Sequence, residues 1–320
     1  MKPLSLVVFG TSILWGQGLE DRDKTHNVLA RMLENHMPER VINTYLIAHS
    51  GASTGYKRDG TVDTRQLPRI HGEVPTLYPT ILQQIDSFGA VGDSQIDPAS
   101  VDIILLDAGV NDVHVTQILD PLTSPKEIAY LVDLYCYQHM LLLLKTLTQK
   151  FSRAKVFILG YYEILTEHSE DGYLHRILKG LGKVADTPLM DHLLTLFNGL
   201  LKRRLLKNCD VFASRSLASF QQAAQEVNSG LSTPCIYVVP SVIDAHHAAF
   251  TSDPWVFGIK DDLSPEDAMA QVRSVECECA GPTRTEVFFC KIASAGHPNR
   301  EGAQAHARAL LNLIIEKVAL

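Results

Sequence analysis

The chain has 320 residues, 46% of them hydrophobic and 20% charged, enough to bury a substantial core. Its formal net charge of −7 comes from acidic and basic residues scattered along the chain, so there is no basic stripe to neutralise phosphates, and nucleic acid is not an expected partner. The apolar run Leu4 to Phe9 is too short to span a membrane and lacks a convincing cleavage site; it reads as a first strand, with no integral membrane association and a cytoplasmic location expected.

In chain order, five short apolar runs alternate with helical stretches: Leu4–Gly10, Val41–Ala48, Val101–Gly109, Ala154–Gly160 and Pro234–Pro240. Such alternation predicts an α/β fold, a parallel sheet covered on both faces. Val28, Leu29, Met32 and Leu33 mark a helix before the second run. Ser124-Pro125-Lys126-Glu127 combines an N-cap serine, a proline at the first helical position and a capping-box glutamate, and opens a helix to about Lys150. A further helix is expected over 189–206. The last begins near Asn299, with Ala303, Ala307, Leu310, Leu311 and Ile314 on one face.

Two excursions fit the alternation less well, at about 55–79 and 241–293, the second holding another capping box, Ser264-Pro265-Glu266-Asp267. Excursions of this kind serve either as functional loops or as decoration. With no Pro/Gly/Ser-rich linker, low-complexity tract or repeat, one domain over 1–320 is expected. The six cysteines (Cys136, Cys209, Cys235, Cys277, Cys279 and Cys290) read as reduced small hydrophobes. Cys277 and Cys279 lack the paired spacing of a structural zinc site, so no metal is expected.

In a doubly wound sheet ligands bind beyond the carboxyl ends of the strands. Those ends carry Phe9-Gly10-Thr11-Ser12, His49-Ser50-Gly51-Ala52-Ser53 and Gly109-Val110-Asn111-Asp112, and Ser294-Ala295-Gly296-His297-Pro298-Asn299 precedes the last helix. An ester hydrolase needs a nucleophile, a base in reach of it and donors for the oxyanion. Ser12, His297, the Gly51 N–H and the Asn111 amide can supply these in turn. Taken singly, each also has a plain structural use as a cap, a turn or a surface histidine.

Together the segments resemble the four blocks of the SGNH (GDSL-like) hydrolase superfamily, over residues 4 to about 312. The resemblance implies a three-layer α/β/α sandwich with a flavodoxin-like sheet and cofactor-free hydrolysis of a small-molecule ester through an acyl-enzyme. It also implies an oxyanion hole made by the Ser12 and Gly51 N–H groups with the Asn111 side chain. Two departures stand out. Gly10-Thr11-Ser12 replaces the usual Gly-Asp-Ser, and Ser294 occupies the place of the triad aspartate. His297 therefore needs another acceptor: a main-chain carbonyl, the Ser294 hydroxyl, or a carboxylate such as Asp244.

Other features invite function less strongly. Gly10, Gly16 and Gly18 match no nucleotide-loop spacing. His246 and His247 beside Asp244 read as solvated rather than metal-bound. Trp15, Tyr56, Trp255 and Phe257 could line an acyl pocket or simply pack in the core. An acyltransferase, a carbohydrate deacetylase and a non-catalytic ligand-binding relative stand as alternatives to an esterase on the same residues.

Overall fold

The computed structural model describes residues 3–65, 71–89, 96–170, 173–180, 188–258, 267–280, 290 and 292–318. Five strands, β1 (Leu4–Phe9), β2 (Ile42–Leu46), β3 (Ile103–Leu106), β4 (Lys155–Leu159) and β5 (Ile236–Val239), form one parallel sheet in the order β2-β1-β3-β4-β5. This is the flavodoxin-like order, with its topological switch between β1 and β3. Leu6 pairs with Ile103 there, and every residue of both strands is buried. Only helices on both faces allow that, and it explains why these segments read as continuous apolar runs.

The helices are α1 (Ser12–Trp15), α2 (Thr25–His36), α3 (Ile81–Ser87), α4 (Val110–Val113), α5 (Val115–Ile118), α6 (Pro125–Val132), α7 (Met140–Lys150), α8 (Tyr173–Gly180), α9 (Pro188–Ser229), α10 (Ala270–Ala280) and α11 (Arg300–Lys317). α2 and α11 pack together as one outer layer, and α6, α7 and α9 form the other. Lys150 ties α7 to α3 by donating to the Ile85 and Asp86 carbonyls at 2.6 and 2.9 Å. No helix among the described residues is long and apolar enough to cross a membrane.

Three elements differ from expectation. The helix from Ser124 to Lys150 is interrupted by a π-helical stretch, Asp133–His139, which turns Leu134, Cys136 and His139 inward. The helix expected over 189–206 continues to Ser229, through the polar residues Lys207, Asn208 and Asp210. Asn208 is buried there and donates to the Asp120 and Thr123 carbonyls, while Phe212, Phe220 and Val227 keep helical spacing on the core side. Finally, the reading of all cysteines as reduced is corrected: Cys277 and Cys290 form a disulfide with Cα atoms 5.7 Å apart. Their separation of 13 residues carries no spacing signature. Ser264, Pro265 and Glu266 of the second capping box lie outside the described residues.

Candidate active site

The turn after β1 presents Ser12. Thr11 caps α1, its hydroxyl accepting from the Ile13 N–H, and Ser12 is the first helical residue, where a backbone N–H has no intrahelical acceptor. Two buried side chains fix this turn from neighbouring elements. Gln84 of α3 accepts from the Gly10 N–H at 2.9 Å and donates back to the Gly10 carbonyl at 3.0 Å. Asp107, just past β3, accepts from the Thr11 N–H at 2.8 Å and from the Thr11 hydroxyl. Thr11 is thus a donor to a buried carboxylate, a role an aspartate at this position would not fill. Burial pushes the Asp107 carboxyl up to about 6, with the Thr11 bonds opposing. A Cβ on Gly10, at φ +148, would overlap that carboxylate.

His297 lies across the turn. Its Nε2 is 2.6 Å from the Ser12 Oγ, although 285 residues separate the two in sequence. Its Nδ1 lies 3.2 Å from the Ser294 carbonyl, which also accepts the His297 N–H at 2.9 Å. Of the three acceptors open to the ring, the carbonyl is the one in contact. Asp244 does not reach it; its carboxylate accepts from the His246 N–H at 2.9 Å and caps its own turn. The Ser294 hydroxyl points away and donates to Asp267. Burial lowers the His297 pKa to about 4, helped by Arg273 and opposed by the carbonyl contact and by Asp267. The ring is therefore neutral at pH 7 and free to accept a proton at Nε2.

The loop around His297 is pinned from outside the sheet. The Phe257 N–H donates to the His297 carbonyl and the Gly296 N–H to the Phe257 carbonyl, each at 2.8 Å. Tyr162, just past β4, donates its hydroxyl to the Gly296 carbonyl at 2.7 Å. Asn299 caps α11 by accepting from the Gly302 N–H at 3.1 Å.

Gly51 and Asn111 open onto the same cavity as Ser12 and His297. Among the described residues the Ser12 and Gly51 N–H groups donate to no protein acceptor. Gly51 sits at φ +78, and a Cβ there would overlap the Thr76 backbone, so the close approach admits only glycine. The Asn111 amide gives one hydrogen to the Ala52 carbonyl at 2.9 Å and has a second to offer. Its neighbour Asp112 is half-buried and accepts from the Thr54 N–H and hydroxyl at 3.0 and 2.9 Å; loss of water around the carboxyl pushes it up to about 7.

The cavity measures about 290 Å³. Val115, Leu119, Ile164, Ile177 and Phe212 form its apolar wall, with Tyr161 and Tyr162 beside the catalytic-type pair. The aromatics singled out in the sequence pack elsewhere. Trp15 donates to Glu73, Trp255 stacks on His247 at 3.7 Å, and Tyr56 lies against His139 at 5.5 Å; Phe257 lines only a small neighbouring hollow. His246 stacks on His168 at 4.0 Å, and among the described residues no cluster of His, Cys, Asp or Glu is suited to a metal. The Gly18 N–H donates to the Glu73 carboxylate at 2.8 Å, so this glycine loop cradles a protein carboxylate.

Sequence reasoning missed Gln84, Asp107, Glu73, Asp267 and Arg273. Asp107 follows an apolar strand, as ligand-side residues do, and was open to discovery on that ground. The other four are brought in by tertiary packing.

No family model matches the chain, and no curated protein sequence matches it. Its fold is similar to that of a phospholipase A1 from Streptomyces albidoflavus NA297, with a TM-score of 0.50 at 12% identity over 99% of this chain and 100% of that one. An extracellular lipase from Streptomyces rimosus gives a TM-score of 0.49 at 13% identity, over 98% and 100% of the two chains. A carbohydrate esterase family 2 enzyme from Myceliophthora fergusii gives 0.47 at 14% identity, over 99% and 67%. At such identities the likeness is one of fold.

Proposed function

We propose that this chain is a serine hydrolase of carboxylic esters, with Ser12 as nucleophile and His297 as general base. The observation that carries the reading is the 2.6 Å hydrogen bond between Ser12 and a neutral histidine, set at the mouth of a cavity that also receives unpaired N–H donors. His297 takes the Ser12 proton at Nε2 as Oγ adds to the ester carbonyl. The Ser12 and Gly51 N–H groups and the free Asn111 N–H stabilise the oxyanion. Collapse of the tetrahedral intermediate breaks the bond to the alcohol, which receives the proton from His297, and leaves an acyl group on Ser12. Water then gives a proton to His297 as it adds to the acyl carbonyl; collapse breaks the bond to Ser12 Oγ, which takes the proton back from His297, and the acid leaves.

The cavity favours an aliphatic acyl group over a sugar. An apolar cavity of about 150 Å³ accepts a benzene molecule, so one of 290 Å³ has room for about twice as many non-hydrogen atoms. Sugar hydroxyls set against Val115, Leu119, Ile164, Ile177 and Phe212 would lose their water partners at about 1–3 kcal/mol each. The deacetylase alternative is the less supported for that reason. The non-catalytic alternative leaves the intact Ser12–His297 hydrogen bond without a use.

Hydrolysis of p-nitrophenyl acetate, butyrate and octanoate tests the reading. Octanoate is expected to exceed acetate in kcat/KM by at least about tenfold, since two buried methylenes alone contribute about 1.6 kcal/mol. Ser12→Ala and His297→Ala are each expected to lower kcat by roughly 10⁴-fold or more. Turnover retained in either variant overturns the assignment. Absence of turnover, joined to absence of Ser12 labelling by a serine-directed phosphonate, would instead favour a ligand-binding relative.

A further inference from the structure

Ser294 stands three residues before His297, where the resemblance places an acid. Its side chain is buried, and its hydroxyl donates to the carboxylate of Asp267. Asp267 is buried too; it accepts from the Met269 N–H at 3.2 Å and forms an ion pair with Arg273 of α10. The Arg273 guanidinium is fully buried and reaches a second carboxylate, Glu73, at 2.9 Å. Its Nε donates to the Cys290 carbonyl at 3.0 Å. Glu73, itself fully buried, further accepts from Trp15 Nε1 at 2.7 Å, Gln17 Nε2 at 3.1 Å and the Gly18 N–H at 2.8 Å.

Two features make this more than a structural knot. Among the described residues Asp267 and Glu73 share the Arg273 guanidinium, and of these charges Asp267 is the one that favours a proton on His297 while Arg273 opposes it. And among the described residues Asp267 is linked to the ring through Ser294, whose hydroxyl binds Asp267 while its carbonyl accepts from Nδ1. An imidazolium forms at His297 during each proton transfer, and buried charge behind it is weakly screened.

We propose that Asp267 is a positioning residue for His297, a displaced counterpart of the triad carboxylate that acts through Ser294. Its charge stabilises the imidazolium, and its hold on the Ser294 hydroxyl keeps the carbonyl on Nδ1, fixing the tautomer that leaves Nε2 free for Ser12. Arg273 and Glu73 hold Asp267 in place. Among the described residues, the other titratable groups lining the cavity with the ring are Tyr161 and Tyr162, whose phenols burial pushes upward, so neither ionises in the working range.

The inference rests on the Ser12–His297 reading above, and its test separates the two. Ser294→Ala removes the hydroxyl link and leaves the Asp267–Arg273 pair; Asp267→Asn removes the charge. Each is expected to lower kcat roughly 10- to 100-fold with little change in KM, as for loss of a hydrogen bond to a charged group. Asp267→Asn should also move the acidic limb of kcat/KM to lower pH, because a histidine that loses a neighbouring negative charge binds its proton less tightly. NMR of isotopically labelled histidine at pH 7 should show His297 as the Nδ1–H tautomer in the parent protein and a mixture of tautomers in both variants. If Asp267→Asn does not fold, Ser294→Ala decides. Parental kcat and a single tautomer in Ser294→Ala overturn the relay while Ser12→Ala and His297→Ala remain inactive; turnover surviving in those two overturns the reading beneath it.

Discussion

Ser12 is held by the sheet, His297 by the excursions around it. The turn of the proposed nucleophile follows β1, next to the topological switch, and its two clamps, Gln84 and Asp107, come from α3 and the end of β3. The proposed base stands in a loop whose supports come from after β4 and from the stretch after β5: Tyr162, Phe257, Asp267 and Arg273. A nucleophile on a buried parallel sheet inherits the rigidity of the core. A base carried by loops needs its own scaffold, and here a fully buried ion cluster and a disulfide supply it. The difference teaches where each half of the pair is open to attack.

Among changes that spare the Ser12–His297 pair, the largest effect is expected on the sheet side, where the proposed oxyanion donors sit. Asn111→Ala removes the one side-chain donor while leaving the Ser12–His297 hydrogen bond in place, and kcat is expected to fall by roughly 10²–10³-fold. Steady-state kinetics on p-nitrophenyl butyrate measures it. Because the lost interaction belongs to the transition state, KM should change little. A matching rise in KM with kcat preserved would mean that Asn111 binds substrate and has no special part in the oxyanion.

The same division explains what could be read from the sequence. Ser12, Gly51, Asn111 and His297 all stand at strand ends or just before a helix, so pattern and topology together pick them out, and the structure gathers them on one cavity. The strands were legible because a strand buried on both faces is apolar throughout. Glu73, Asp267 and Arg273 were not legible. Arg273 and Glu73 are 200 residues apart, each lies in an excursion without periodicity, and a charged residue in such a stretch reads as solvated. The disulfide was hidden because Cys279, two residues from Cys277, drew the eye to a local pair. The cavity's aromatics were missed because Tyr161 and Phe212 owe their places to packing between the end of β4 and α9.

Breaking the disulfide should weaken the base side without touching the nucleophile turn. The bond joins α10, which carries Arg273, to Cys290, whose carbonyl Arg273 also holds. Closing a loop of about 15 residues constrains the unfolded chain by about 3 kcal/mol, so Cys277→Ser should lower the denaturation midpoint accordingly. Chemical denaturation of the variant, beside the parent under reducing and non-reducing conditions, measures this. The parent should lose a similar amount on reduction and the variant nothing further. Equal sensitivity of both to reductant would show that the stability resides elsewhere.

Acid should sharpen the contrast, with the smallest effect of the series. His297 and His306, on the base side, are both lowered from 6.5 to about 4, chiefly by burial. Between those values each binds fewer protons folded than unfolded, so its contribution to stability is present above the window and is lost as pH falls through it. The nucleophile side mixes signs. His26 and His139 are lowered to about 4 in the same way, but Asp107 and Asp112 are raised to about 6 and about 7, and a raised carboxyl stabilises at low pH and loses that contribution as pH rises. The two kinds of group offset one another around Ser12, and among the described residues no raised carboxyl contacts His297 or His306 to do the same. Amide hydrogen exchange, expressed as protection factors, should therefore fall at Gly296, His297 and the first turn of α11 before it falls at Thr11 to Trp15 as pH is lowered from 6.5 toward 4. Loss of protection at the Ser12 turn first, or at both places together, would mean that the sheet and the loop titrate as one unit and that the separate scaffold around the base has no independent stability.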